Sequence, residues 1–256
     1  MKIKTSSGLH ETQRERVYYR IKLGLMSGDY EPGQKLTIAK LSSALGVSAT
    51  PVREALRRLA AERALLQYPN CSMAVPRPSR AAVLEIRAIR ERLEGYAAQL
   101  AAARIDGARL ERLARIQQAL VAARKRGDTR RIMQLSEEIH FGVYEAAGVP
   151  VLTELISTLW LHSAPTLMLL FKPEHIARYP LAAQNRNNLA LVRALGRRDG
   201  ERAARAVRAE IALGSRVLDQ LMAEIGWDAG GAHLIKSWGV KRNSRKRPLR
   251  RARARH

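Results

Sequence analysis

The sequence predicts a mainly α protein in two parts: a compact N-terminal unit of short helices closed by a small β hairpin, followed by an antiparallel bundle of long helices. Three observations predict it. The 256 residues are rich in Ala, Leu, Arg and Glu, and aromatic residues make up only 5%, a composition that favours helix. From Arg80 onward, apolar residues recur with helical spacing in six segments separated by clear stops. Two short extended runs in "ALLQYPNCSMAVPRP" flank a turn at Pro69–Ser72.

Met1–His10 is polar and predicts no element. In "QRERVYYRIKLGLM", Val17, Ile21, Leu23 and Leu25 fall in a helical rhythm that ends at the turn cluster "SGDYEPGQ". "LTIAKLSSAL" reads as a second helix with Gly46 as the turn after it. Ser48 is an N-cap for a third helix, whose first turn tolerates Pro51. Val52, Ala55, Leu56 and Leu59 form its buried stripe and leave Arg53, Arg57 and Arg58 facing outward. Helix, helix, turn, helix and hairpin over residues 11–78 make a winged helix-turn-helix by pattern.

Residues 79–225 resolve into amphipathic segments at Arg80–Ala103, Ala108–Arg126, Thr129–Ala147, Val151–Leu170, Ala182–Arg197 and Gly200–Ile225. Short links make them an antiparallel bundle, and a bundle core is a natural small-ligand site. Residues 226–256 open with Gly-rich "GWDAGGAH" and end in "KRNSRKRPLRRARARH". Lys241–His256 holds no acid, so this tail is expected to be disordered and to grip phosphate without sequence preference.

Formal charge is +23, which points to a polyanionic partner, nucleic acid ahead of an anionic membrane. A plain solvated, arginine-rich surface is the alternative. Cys71 is the only cysteine, which excludes an internal disulfide or a thiolate cluster and suits a reducing cytoplasm. A redox role for Cys71 is the lesser reading beside an incidental turn residue. The N-terminus lacks the apolar core of a signal peptide. "VLTELISTLWLHSAPTLMLLF" is interrupted by Glu154, His162 and Pro165, which fits a core helix pair better than a membrane span. A cytoplasmic chain with no membrane partner is expected.

"EPGQKL", "LGVSATPVREALRRLAAERALL" and "PNCSMAV" resemble the head of the GntR-type bacterial transcription regulators, and "EIRAIRERLEGYAAQLAA" resembles the helical effector domain of their FadR subgroup. The likeness runs from about Val17 to Leu221. It implies a homodimer on a palindromic double-stranded DNA operator, with affinity altered by a small metabolite, commonly a carboxylate. It implies no enzyme, and His140 has no convincing catalytic partner in the sequence. The alternative is a nonspecific, architectural nucleic-acid binder that depends on the basic tail.

The resemblance makes Ser48 and Thr50 phosphate or cap contacts, Arg53 the contact to a base or phosphate, and Arg57 its neighbour one turn on. Lys35 and Ser72 complete the expected DNA-binding set. A salt bridge to Glu62 is the structural alternative for Arg53. Two positions depart from the family. Ala49 stands where Arg is common, and alanine can meet a thymine methyl but cannot grip guanine. Cys71 and Ser72 replace the usual Arg and Gly of the wing. Both departures predict an altered operator.

Many relatives hold a divalent metal in the bundle through an Asp and three His. Here the matching positions are Ser136, His140, Asn188 and Glu210, so one ligand is kept and only His140 and Glu210 remain as weak metal candidates. No cofactor is expected. These four residues, with Arg90 as an anion anchor, are the candidate effector site; an Arg90–Glu94 pair is the structural alternative for the arginine. Glu137 is expected to point about 100° away from Ser136 and to be a poor substitute ligand.

Overall fold

The computed structural model describes residues 12–68, 72–172 and 174–227. The N-terminal tail, the wing tip at residues 69–71 with Cys71, and the basic tail beyond Trp227 lie outside them. The head begins with α1 (Gln13–Ser27), opened by a reciprocal capping box between Thr12 and Glu15. Gly28 closes it at φ 77°, a left-handed position that glycine adopts without strain. Val17, Ile21 and Leu25 are buried as expected, but Leu23 is not. At 100° per residue it lies about 160° around the helix from Ile21, outside the buried arc, and Tyr18 and Met26 fill the core instead.

A two-residue strand, β1 (Lys35–Leu36), precedes α2 (Ile38–Leu45) and α3 (Ala49–Ala61). The wing strands β2 (Leu66–Gln67) and β3 (Met73–Ala74) follow, in an antiparallel sheet of order β1-β3-β2. The hairpin matches the sequence reading, whereas β1 does not appear in it. Two residues carry no alternation for a pattern to detect, and Lys35 reads only as the approach to α2.

The bundle comprises α4 (Arg80–Arg104), α5 (Gly107–Lys125), α6 (Thr129–Ala146), α7 (Pro150–Leu167), α8 (Leu181–Gly196) and α9 (Gly200–Glu224). Ser79, Asp106, Asp128 and Asp199 each cap a helix by accepting from the backbone N–H three residues on. The most extensive pairing is α4 with α9, where Ala97, Ala98, Ala101, Ala102 and Ala203 are fully buried. Side chains this small let the two backbones approach. The apolar segment is one helix continued by a 3₁₀ turn, Met168–Phe171, rather than a helix pair. Pro165 sits near its C-terminal end, where the missing N–H removes a helical bond. That stretch is long and apolar enough to cross a membrane, yet half of it is buried inside the fold.

The head leans on the bundle through α1 against α7 and α6. Gly226 and Trp227 do not belong with the tail. Trp227 is buried, its Nε1–H donates to the Pro78 carbonyl at 2.6 Å, and the Arg77 guanidinium lies 4.3 Å from its ring.

Candidate nucleic-acid interface and effector cavity

The head presents the first turn of α3 to solvent. Ser48, Ala49, Thr50, Arg53 and Arg57 are all exposed, and so is Lys35 on β1. Ser48 occupies the N-cap position but makes no side-chain cap hydrogen bond. Pro51, at the third helical position, has no N–H to offer, which removes the usual donor. Ser72 is half-buried at the base of the wing, where its carbonyl accepts from the Tyr68 N–H at 2.9 Å.

The acids that could hold Arg53 have other partners. Glu54 pairs with Arg14 at 3.0 Å, and Glu62 pairs with Arg58 at 3.2 Å. Among the described residues neither Arg53 nor Arg57 has an ion-pair partner. Arg58 is exposed as expected but already engaged: its guanidinium lies 3.8 Å from the Tyr18 ring centroid as well as on Glu62, and so ties α3 to α1. Glu62 is also the bolt to the bundle: its carbonyl accepts from His162 Nε2–H of α7 at 3.0 Å.

Inside the bundle a cavity of about 90 Å³ is walled by Arg90, Ser136, His140 and Glu210 together. Four of the five predicted effector residues therefore converge. Asn188 does not. It is buried on α8 with neither amide atom hydrogen-bonded, but Gln184, one turn earlier, takes its place in the wall. Glu137 is a second correction, since it lines the cavity despite its angular offset from Ser136. The wall spans enough of α6 for neighbouring positions to reach it. Trp160, Tyr179 and Ser215 also line it and carried no signal in the sequence beyond helical apolar spacing.

The charges around this cavity are arranged to cancel. Arg90 Nε lies 2.5 Å from Glu94 Oε1, its Nη1 donates to Ser163 Oγ at 3.0 Å, and its guanidinium covers Trp160 at 4.6 Å. Tyr144 donates its hydroxyl proton to Glu94, and that hydroxyl lies 3.0 Å from His140 Nδ1. The hydroxyl has one proton, so Nδ1–H must be the donor of the second contact and Nε2 is left as an acceptor. Burial lowers the His140 pKa to about 4, with Arg90 adding to the effect, so the ring is neutral at ordinary pH. Burial likewise raises Glu210 to about 7 against the opposing hydrogen bonds of Gln184 and Asn187. Glu137 is raised to about 7 by burial and by the neighbouring charge of Glu138.

One expectation changes. Arg90 is the only Lys or Arg among the cavity-lining residues described, and its charge is committed to Glu94, so a carboxylate effector would find no free cation. The ligand positions implied for a divalent metal do not fit one. They supply one imidazole and one carboxylate beside a neutral hydroxyl and an amide, and no group of three His, Cys, Asp or Glu converges among the described residues.

Comparison with known proteins follows the same division. Residues 13–75 match the bacterial regulatory proteins of the gntR family, and residues 85–213 match the FCD domain. The HTH-type transcriptional regulator McbR of Escherichia coli K12 is 33% identical over 168 residues, covering 63% of this chain and 76% of the relative. The solved structure of E. coli McbR/YncC superposes with a TM-score of 0.73 at 28% identity, over 86% of this chain and 99% of that one. A GntR regulator structure from Rhodococcus sp. RHA1 shares the fold at a TM-score of 0.57 and 18% identity, over 90% and 99% of the two chains.

Proposed function

The chain belongs to the gntR family of bacterial regulatory proteins and is a transcription regulator with an FCD effector-binding domain; on that premise we propose that it binds a palindromic DNA operator as a homodimer, with Arg53 reading a base or phosphate. The observation that carries the proposal is the exposed first turn of α3. Two arginines without ion partners among the described residues and an unused N-cap hydroxyl are what a major-groove helix needs for guanine and phosphate. Ser48, Thr50, Arg57 and Lys35 position the helix, Ser72 supports the wing, and Ala49 fits a thymine methyl.

The homodimer rests on a surface feature of the bundle. Ile89 and Tyr96 of α4 and Val151 and Leu155 of α7 are exposed on two helices that pack side by side, Val151 to 68%. A second copy covering that apolar face would give the two-fold axis that a palindrome mirrors. The effector, held between Ser136, His140 and Glu210, is a small uncharged molecule that both donates and accepts hydrogen bonds, since the cavity offers hydroxyls, a neutral imidazole and no free cation among the described residues.

The test is selection from a random duplex pool by the full chain, followed by footprinting under competitor DNA. A palindromic site should emerge, and Arg53→Ala should lose its footprint with an unchanged melting temperature. A footprint that survives Arg53→Ala removes that residue from the interface. Loss of all binding on deletion of Lys241–His256 would favour the architectural reading instead.

A further inference from the structure

A second cavity lies outside the bundle core. Between the head and the bundle a groove of about 710 Å³ runs along α1, the end of α3, α6 and the start of α7. Its volume is in the range of small-molecule sites, which are commonly a few hundred to about 1,000 Å³. Tyr18, Tyr19 and Phe141 furnish aromatic walls, and Thr153 and Ser157 furnish hydroxyls.

The groove runs against the charge of the whole chain. In a protein of formal charge +23, its wall holds the carboxylates Glu62, Glu137, Glu145 and Glu154 against only two bases, Lys22 and Arg58. Both bases are already engaged. Arg58 sits on Glu62 at 3.2 Å and over the Tyr18 ring, and Lys22 reaches the Tyr18 hydroxyl at 3.2 Å and Glu62 at 3.9 Å. Glu137, Glu145 and Glu154 have no ion pair among the described residues. Glu137 also carries a carboxylate oxygen, Oε1, that is buried and has no hydrogen-bond partner. A buried acceptor left unmade is costly, and a cation is the partner that satisfies it best. Aromatic faces beside carboxylates complete the chemistry by which proteins hold organic ammonium groups.

We propose that the groove between head and bundle is a separate binding site for a lipophilic organic cation, with Glu137 as its charge partner and Tyr19 and Phe141 as its aromatic walls. The occupant touches both parts of the molecule. Arg58 and Glu62 belong to the DNA-reading helix and its cap, so a bound cation bears on how that helix is held. The half-buried Glu137 carboxylate, with Oε1 buried and without a hydrogen-bond partner, is penalised by desolvation, and a cation in the groove relieves that penalty.

The experiment is a fluorescence-anisotropy titration of the full chain with rhodamine 6G, an aromatic monocation, against fluorescein, an anion of similar ring system. Saturable binding of the cation at one per chain, with no saturable binding of fluorescein, is expected. Nonspecific attraction to so basic a protein would give the reverse order, and that result overturns the proposal. Glu137→Gln should weaken rhodamine binding about tenfold, the loss of one charge-assisted contact. Ser157→Trp should block the groove; Thr158→Trp, at an exposed position, gives the same answer if the first variant folds poorly. Glu210→Gln, in the bundle cavity, should leave the affinity unchanged. Binding abolished by Glu210→Gln but not by the tryptophan variants would place the cation in the bundle and overturn the assignment. So would no saturable binding of rhodamine 6G or of tetraphenylphosphonium, or binding that rises as the chain is diluted to monomer, which means that a second copy fills the groove.

Discussion

Arg53 and Arg90 are the same residue type on two long helical faces, and the molecule treats them oppositely. Arg53 stands on α3 in solvent with no ion partner among the described residues, while Arg90 is 5% exposed and locked to Glu94, which is wholly buried. The contrast extends to their surroundings. The head leaves hydroxyls and guanidinium groups unpaired on its surface, where hydration costs nothing and a phosphate can replace water. The bundle neutralises almost every charge it buries: His140 is held uncharged, Arg90 is paired, and Glu210 holds its proton far above the usual carboxylate range. Charge in the head serves a partner, whereas charge in the bundle answers to the cost of desolvation.

The sharpest break of that contrast is Glu94→Gln. It keeps the shape and an acceptor for Tyr144 but leaves Arg90 buried without its counter-charge, a loss on the order of 3–5 kcal/mol. In a chain of this size that lowers the thermal midpoint by on the order of 10 °C. Thermal unfolding followed by circular dichroism checks it. Arg53→Ala in the same assay should stay within about 0.5 kcal/mol of wild type. A Glu94→Gln midpoint within a degree of wild type would mean that Arg90 is satisfied without the pair.

The two regions also differ in how far their sequences could be read. The head was legible nearly to the residue, because "LGVSATPVREALRRL" combines an N-cap, a first-turn proline and a complete apolar stripe. The bundle helices were legible from their apolar spacing and the stops between them, and the structure adds caps at Ser79, Asp106, Asp128 and Asp199 at four of their starts. What periodicity could not supply was the partner of each buried polar group. Glu137 and Ser136 are adjacent in sequence and both reach the cavity, and whether Arg90 is free or paired depends on Glu94, Tyr144 and Ser163 meeting in space. Trp227 escaped for another reason: its Gly-rich context reads as linker, and only the fold shows the Pro78 carbonyl waiting for its indole.

A smaller effect separates the regions by pH. Burial lifts the Glu210 carboxyl from its usual 4.5 to about 7. Between those values the folded chain keeps a proton that the unfolded chain has released. The native state therefore binds more protons there, and this group's contribution is fully present below pH 4.5 and is lost as pH rises to 7. Glu210→Gln, neutral at every pH, should match wild type in acid and gain on it by about 1.4 kcal/mol per pH unit across that window. Urea unfolding at several pH values checks the slope. A variant that tracks wild type throughout would show that Glu210 is ionised and hydrated in the native state.

The smallest effect belongs to the head and tests whether its arginines are as free as they look. Arg57 lies one turn beyond Arg53 on the same exposed face, and has no ion-pair partner among the described residues. Arg57→Ala should therefore leave stability within about 0.5 kcal/mol, as expected of a solvated surface side chain. Its cost should appear only on DNA. A contact to one phosphate releases counterions, so the slope of log affinity against log salt should fall by about 0.9 for each protomer that makes it. The loss should be the same on operator and random duplexes, because a phosphate carries no sequence. If the loss is confined to the operator, Arg57 reads a base, and the recognition surface extends a full turn deeper into the groove than Arg53 alone requires.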